Sequence, residues 1–327
     1  LRPLQFGEIL DGAFQTIRRN AAAMVGSALI VQAISQTLLG VVSLGMFNLV
    51  DSMEAVESRA ELDGLIGPFV GAMAGTLGVT MLMAFLGSVL QGVLVVPVSR
   101  SVLNRKTGFK AMWKLAAKRI WPLLGVAALL TFAAILAMAA IIGIAVVLLM
   151  NLGPAAFALV IPLWLGAFVV YIWIAVKLMF APAAIVVEQV GIYDALLRSW
   201  QLTKNSWWRI FGITIVVNLM VAVIGSVVQI PVQLASGAVG SVVSPHPDFA
   251  SMSSALLVTT IISTIVSTLV GSVTFAFQTS VSALIYMDLR MRRDGLDVEL
   301  MRMMESGADP DGVPGAPTGR SGGWPPA

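Results

Sequence analysis

Charged residues divide this chain into long uncharged stretches separated by short charged ones. Residues 20–50, 64–99, 120–176, 210–247 and 249–287 contain no Asp, Glu, Lys or Arg. An apolar helix of ~20 residues crosses a hydrocarbon layer of ~30 Å. Residues 120–176 have room for two such helices, and Asn151-Leu152-Gly153-Pro154 supplies a turn between them. Six spans are therefore expected near 22–46, 70–97, 122–148, 156–180, 210–234 and 258–285. The predicted fold class is an all-α integral membrane protein, its six transmembrane helices forming three hairpins. A cytoplasmic amphipathic interfacial helix is expected before each hairpin.

Those three preceding segments carry an apolar stripe at helical spacing. The first places Leu10, Ala13, Phe14 and Ile17 on one face, with Glu8, Asp11, Arg18 and Arg19 elsewhere. In the second, Phe109, Met112, Trp113, Ala116 and Ile120 oppose Lys110, Lys114, Lys118 and Arg119. The third has Ile192, Leu196, Trp200 and Trp207, with Asp194 and Arg198 spaced as an i,i+4 pair. A 3.6-residue stripe beside a basic face describes a helix lying on anionic headgroups. Trp113, Trp121, Trp200, Trp207 and Trp208 suit headgroup depth, where amphipathic rings are enriched.

Charge placement then fixes the expected orientation. With six spans, Arg59 is the one basic residue of twenty on the outer side. Basic loops resist translocation, so both termini are expected in the cytoplasm of a plasma-membrane protein. The domain plan has an amphipathic N-terminal helix over 1–20 and a six-span domain over 21–289, with interfacial helices near 107–120 and 191–207. A basic helical extension over 290–305 follows, with Asp288 and Arg292 spaced i,i+4 across its start. The Gly/Pro-rich tail 306–327 is expected to be disordered. The chain begins at Leu1 rather than Met, so a segment upstream is expected.

Composition narrows the function classes. Only 11% of residues are charged and 58% are hydrophobic, against roughly 25% charged in soluble domains. No cysteine is present, which removes disulfides, thiolate metal sites and a Cys nucleophile. The single histidine, His246, lies between two prolines of an outer loop. No phosphate-binding glycine loop and no serine with a plausible base occurs, so no catalytic residue, cofactor site or metal site is assigned. The net charge of +3 reflects membrane orientation, and no nucleic-acid partner is expected.

Lys177 is the one ionisable residue near the membrane interior, and one turn from its helix end it is expected to snorkel. A polar set remains inside the spans: Gln32, Gln36, Asn218, Gln229, Gln233 and Gln278. These side chains serve either interhelical hydrogen bonds or a polar path for a solute or lipid. Gly71 and Gly75, and the stripe Thr260, Thr264, Thr268 and Ser272, are expected to be close-packing surfaces. Contacts to headgroups or to a cytoplasmic protein partner are expected from Arg18, Arg19, Lys110, Lys114, Lys118, Arg119, Arg198, Trp200, Trp207, Trp208, Arg209, Asp288, Arg290, Arg292 and Arg293. The sequence carries no signal of oligomeric state.

Three motifs carry a resemblance. They are residues 4–14 (LQFGEILDGAF) with Arg18-Arg19-Asn20, residues 195–203 (ALLRSWQLT) with 208–212 (WRIFG), and residues 283–297 (ALIYMDLRMRRDGLD). In this order the chain resembles actinobacterial proteins of the glycerophosphoryl diester phosphodiesterase membrane-domain family, from about residue 2 to 300. The resemblance implies a plasma-membrane location. The catalytic phosphodiesterase domain sometimes fused to such regions needs histidines and acidic metal ligands, which a chain with only His246 does not supply. The resulting expectation is a non-catalytic scaffold or accessory subunit for envelope or lipid-related processes. The alternative is a transporter, channel or lipid-handling protein that uses the polar residues inside the spans.

Overall fold

A computed structural model describes residues 5–54, 59–243, 249–296, 298, 300, 301 and 312–316. Ten α-helices occur among them, and no strand. In chain order they are α1 (Phe6–Arg19), α2 (Ala21–Glu54), α3 (Arg59–Val102), α4 (Phe109–Ala117) and α5 (Ile120–Leu152). After a 3-10 turn (Gly153–Ala156) come α6 (Phe157–Leu178), α7 (Ala181–Val187), α8 (Ile192–Thr203), α9 (Trp207–Val243) and α10 (Phe249–Asp294).

Five segments are long and apolar enough to cross a membrane: Ala21–Ser43, Gly67–Val102, Ile120–Val187, Trp207–Pro231 and Thr260–Asp294. The third contains α5, the 3-10 turn, α6 and α7. The protein is therefore an all-α, multi-pass membrane protein. Each of the six stretches read from the sequence overlaps one long helix. Pro97, Pro162 and Pro231 sit inside helices that continue through them, as membrane helices tolerate.

The chain divides into two compact units. The first comprises residues 1–20, 88–214 and 279–327, and the second 21–87 and 215–278. In the first unit, α5 ends at Gly153, whose φ of +55° places it where an L side chain is strained. Pro154 then starts the 3-10 turn, and Ala145, Ala156 and Val160 pack beneath it with Leu148. Beyond this small core, large apolar side chains such as Leu165 and Val169 stay exposed, a surface that lipid solvates and water does not. At the other end of the hairpin, α5, α6, α7 and α8 pack on one another.

Helix α7 is absent from the sequence-based plan. All seven of its residues are buried, so its apolar composition serves protein packing. Each of the three amphipathic helices buries one side against protein. Helix α1 buries Ile9, Ala13 and Thr16 while Phe14 is 57% exposed. Helix α4 buries Met112 and Ala116 and leaves Phe109 exposed. Helix α8 buries Ala195, Ser199, Leu202 and Thr203 and leaves Ile192 and Trp200 exposed. Ile9, Met112 and Leu202 are fully buried beside small and hydroxyl side chains, while Phe14, Phe109 and Trp200 stay exposed.

Gly71 and Gly75 are corrected as well. A Cβ at either would meet no described atom within 4 Å. Close approach occurs elsewhere: a Cβ on Gly92 would lie 2.6 Å from Leu123, and one on Gly125 would lie 2.3 Å from Ile192.

Candidate functional site

In the first unit, α7 ends at Glu188, the next residue Gln189 adopts φ +57°, and Gly191 caps the start of α8. This sharp turn sets Glu188 beside Arg198 and the end of α10. The Glu188 carboxylate accepts from Arg198 Nε at 2.9 Å and from the Tyr286 hydroxyl at 2.6 Å, and pairs with Arg290 at 3.5 Å. Tyr286 is fully buried, with its ring 6.2 Å from Phe180 and the Arg290 guanidinium 5.9 Å from its centre. Arg198 and Arg290 also both pair with Asp294.

Two residues on, Asp288 accepts a two-pronged bond from Arg292, as its i,i+4 spacing predicts, and pairs with Arg209 at 3.5 Å. Arg293 donates to the carbonyl of Gln201. Three carboxylates (Glu188, Asp288, Asp294) thus face four guanidiniums (Arg198, Arg209, Arg290, Arg292). Burial acts to lower the pKa of Arg198, but the charges of Glu188 and Asp294 outweigh it and hold the guanidinium above its ordinary range. The expected Asp194–Arg198 pair is replaced by these contacts. Arg198 sits on the inward side of α8, where Glu188 and Asp294 are the acceptors within reach.

The chain's own C-terminal segment completes this end. Val313, Pro314 and Gly315 are buried, and Ala316 donates its N–H to the Val313 carbonyl at 3.1 Å. With Pro314 second, Gly315 third and Gly315 at φ +83°, this is a type II turn. Arg290 Nη1 donates to Gly315 O at 3.2 Å, and Arg100 Nη1 to Gly312 O at 3.1 Å. The expected disorder of 306–327 is therefore corrected for 312–316. Backbone carbonyls of the turn meet two buried guanidiniums, and Val313 is sheltered from water. The Val-Pro-Gly-Ala signature was the readable signal. The rest of that tail, most of 290–305 beyond Gly295, and His246 lie outside the described residues.

The α1 terminus is pinned separately. Thr16 and Ser101 share a hydrogen bond at 2.9 Å, Asn20 Oδ1 accepts from the Thr107 N–H at 2.9 Å, and Arg19 bonds Asn104. Arg119 donates to Gln189 at 3.1 Å. Arg18, Lys110, Lys114 and Lys118 are exposed.

An aromatic group flanks the ion pairs. Trp207 stacks on Phe211 at 4.7 Å, meets Trp208 edge-on, and donates to the Trp173 carbonyl at 3.4 Å. Trp173 and Trp200 meet edge-to-face at 5.2 Å. Lys177 does not snorkel. It is 5% exposed, with Nζ 5.8 Å from the Trp173 ring centre and 5.0 Å from that of Trp200. The indole faces attract the ammonium and draw it against the protein.

The amides of the second unit do not converge on one point. Gln278 Nε2 donates to Asn218 Oδ1 at 2.8 Å, and Gln229 donates to Ser267, each bond linking α9 to α10. Gln32 of α2 lies over Gly271 of α10, 3.1 Å from where a Cβ would be. Gln36 is partly buried, and the side chain of Gln233 lies outside the described residues.

Near the ion pairs, Ile9, Ser206, Arg209, Ile210, Ile213, Ile285, Asp288 and Leu289 line a shallow cleft that leaves no interior room for a small molecule. All three sequence motifs contribute to this end of the unit, through Ile9 and Gly12, Arg198 and Arg209, and residues 284–294. Glu188, Tyr286 and Arg100 were missed from sequence because each sits at the border of an apolar run. No curated protein and no solved structure matches the chain. A family profile matches residues 4–289, and the chain belongs to that family, described as Domain of unknown function (DUF7847).

Proposed function

We propose that the protein is a non-catalytic plasma-membrane protein of six spans in three hairpins, with both termini cytoplasmic. In this reading it acts as a scaffold or accessory subunit for envelope or lipid-related machinery. Its ion-paired end forms the cytoplasmic platform, where exposed Arg18, Lys110, Lys114 and Lys118 meet anionic headgroups or a protein partner. A platform needs fixed geometry, and the interlocked carboxylates and guanidiniums supply it.

The observation that carries this reading over transport is the use of the intramembrane amides. Polar groups on a permeation path are expected to face a shared cavity. Here Asn218 bonds Gln278, and Gln229 bonds Ser267 three helical turns away, so these groups satisfy one another across a helix seam. The test is reconstitution of the full chain in vesicles loaded with small ions, sugars or short-chain lipid reporters. Release matching that of protein-free vesicles is expected. Release that disappears in N218A or Q278A would reverse the assignment in favour of a transporter.

A further inference from the structure

We infer that Lys177, with Trp173 and Trp200, forms a binding site for the phosphodiester of an anionic phospholipid. The inference rests on the proposed placement of the charged end at the headgroups. The site is built rather than incidental. Ser199 Oγ donates to the Lys177 carbonyl at 2.8 Å and accepts from the Phe180 N–H at 3.2 Å, which fixes the end of α6 against α8. Trp207 holds the Trp173 carbonyl from α9. Three elements therefore position one ammonium.

That ammonium differs from the other buried cations at this end. Arg198 and Arg290 meet carboxylates. Among the described residues Lys177 makes no ion pair or side-chain hydrogen bond, and its partners are the two indole faces. Cation–π attraction contributes roughly 0.5–2 kcal/mol, yet it gives none of the three N–H donors an oxygen acceptor. The side chain as a whole is 5% exposed, yet Nζ is not among the enclosed atoms that lack a partner, so the ammonium reaches the surface beside the indoles. An acceptor from outside the protein can meet it there, since Trp173 and Trp200 are themselves 41% and 37% exposed.

The surroundings select the ligand class. Val169, Val170, Tyr171 and Ile174 on the same helix are exposed apolar or aromatic side chains. A hydrated free phosphate gains little there and loses its water. A phospholipid brings its phosphodiester to that depth while its acyl chains cover the apolar surface. Tryptophan at the headgroup boundary favours the same arrangement. A net-negative headgroup keeps the lysine's charge neutralised, which a zwitterionic headgroup does less well.

The test uses the full chain in detergent, with bound lipid counted by native mass spectrometry. Phosphatidylglycerol, phosphatidylcholine and inorganic phosphate are the probes. Wild type and K177R are expected to hold phosphatidylglycerol at about fivefold lower concentration than phosphatidylcholine, since both offer the phosphodiester and the attraction of one basic residue to a net-negative headgroup has about that effect. K177M should lose the preference. An undiminished preference in K177M would overturn the Lys177 site while leaving the headgroup reading of the charged end intact. No preference in wild type would overturn both. Displacement of the lipid by millimolar inorganic phosphate would show a free-anion site and overturn the lipid assignment. If K177M does not fold, wild type and W200F supply the answer. Brominated phosphatidylglycerol should quench the emission component lost in W200F more than brominated phosphatidylcholine does, and equal quenching overturns the proposal.

Discussion

Arg290 donates from Nη1 to the carbonyl of Gly315 at 3.2 Å, so a residue in the last helix is tied to a turn 25 positions further on. Gly315 is held at φ +83°, and a Cβ there would lie 3.0 Å from Arg290 Nη1 and 3.1 Å from Leu296. An L side chain in the left-handed region costs about 1–2 kcal/mol before any clash. G315A is therefore expected to loosen the turn, with hydrogen exchange at Val313–Ala316 rising roughly five- to thirtyfold. Exchange in α5 should stay unchanged. Unaltered exchange at the turn would show that the tail does not depend on this seat.

Glu188 is the acceptor shared by Arg198, Arg290 and Tyr286, so its charge is the centre of the network. E188Q keeps the shape and removes the charge, and is expected to destabilise the folded chain by about 1.5–3 kcal/mol. Y286F removes only the 2.6 Å bond and should cost about 1 kcal/mol. The order E188Q worse than Y286F, measured by thermal unfolding in detergent, is the critical outcome. Arg198 adds no pH dependence near neutrality. Its folded pKa is raised, so its contribution is complete below its unfolded value and fades only as pH climbs through the folded one, beyond strongly alkaline conditions.

Much of this architecture was legible because charge and apolarity separate so sharply along the chain. The six apolar runs overlap α2, α3, α5, α6, α9 and α10, and the turn at 151–154 lies where Asn, Gly and Pro predict it. Side-chain detail was less legible, for one physical reason: in a membrane protein, apolar residues face lipid as readily as protein. Helix α7 was hidden because Ala181–Val187 continues the apolar composition of α6, with Lys177 alone interrupting it and read as the end of a span. Gly71 and Gly92 look alike in sequence, yet only Gly92 has a neighbour, Leu123, inside its missing side-chain volume. The protein-facing sides of α1 and α8 carried no signal in sequence, because Thr16 and Ser199 read as polar while both are buried and hydrogen-bonded. Glu188 was unreadable in isolation, since its partners lie ten and nearly a hundred residues away.

The amide pair Asn218–Gln278 offers a quantitative check on the seam between α9 and α10. Interhelical hydrogen bonds in membranes contribute on average about 0.6 kcal/mol, because the separated helices also find partners. A double-mutant cycle with N218A and Q278A should give a coupling energy of about that size. Gln229 and Ser267 should behave similarly and independently, being too distant to share a partner with the first pair. Strong coupling between the two pairs would point instead to a connected polar path.

The absence of cysteine makes the six-span arrangement testable without a background of native thiols. Single cysteines at S58C, N151C, K106C and S206C sample four connections of the plan. With six spans and a cytoplasmic N-terminus, S58C and N151C should react with an impermeant maleimide on intact cells. K106C and S206C should react only after the membrane is opened. N151C is the decisive position. The segment Ile120–Val187 is one continuous apolar stretch by composition, and the turn at Gly153 with Pro154 divides it into two helices of 33 and 22 residues. Two spans of that length bring residue 151 to the side opposite 106 and 206. Protection of N151C from external reagent, with S58C reactive, would mean that the α5–α6 hairpin enters and leaves on one face without crossing, and the six-span plan would fall.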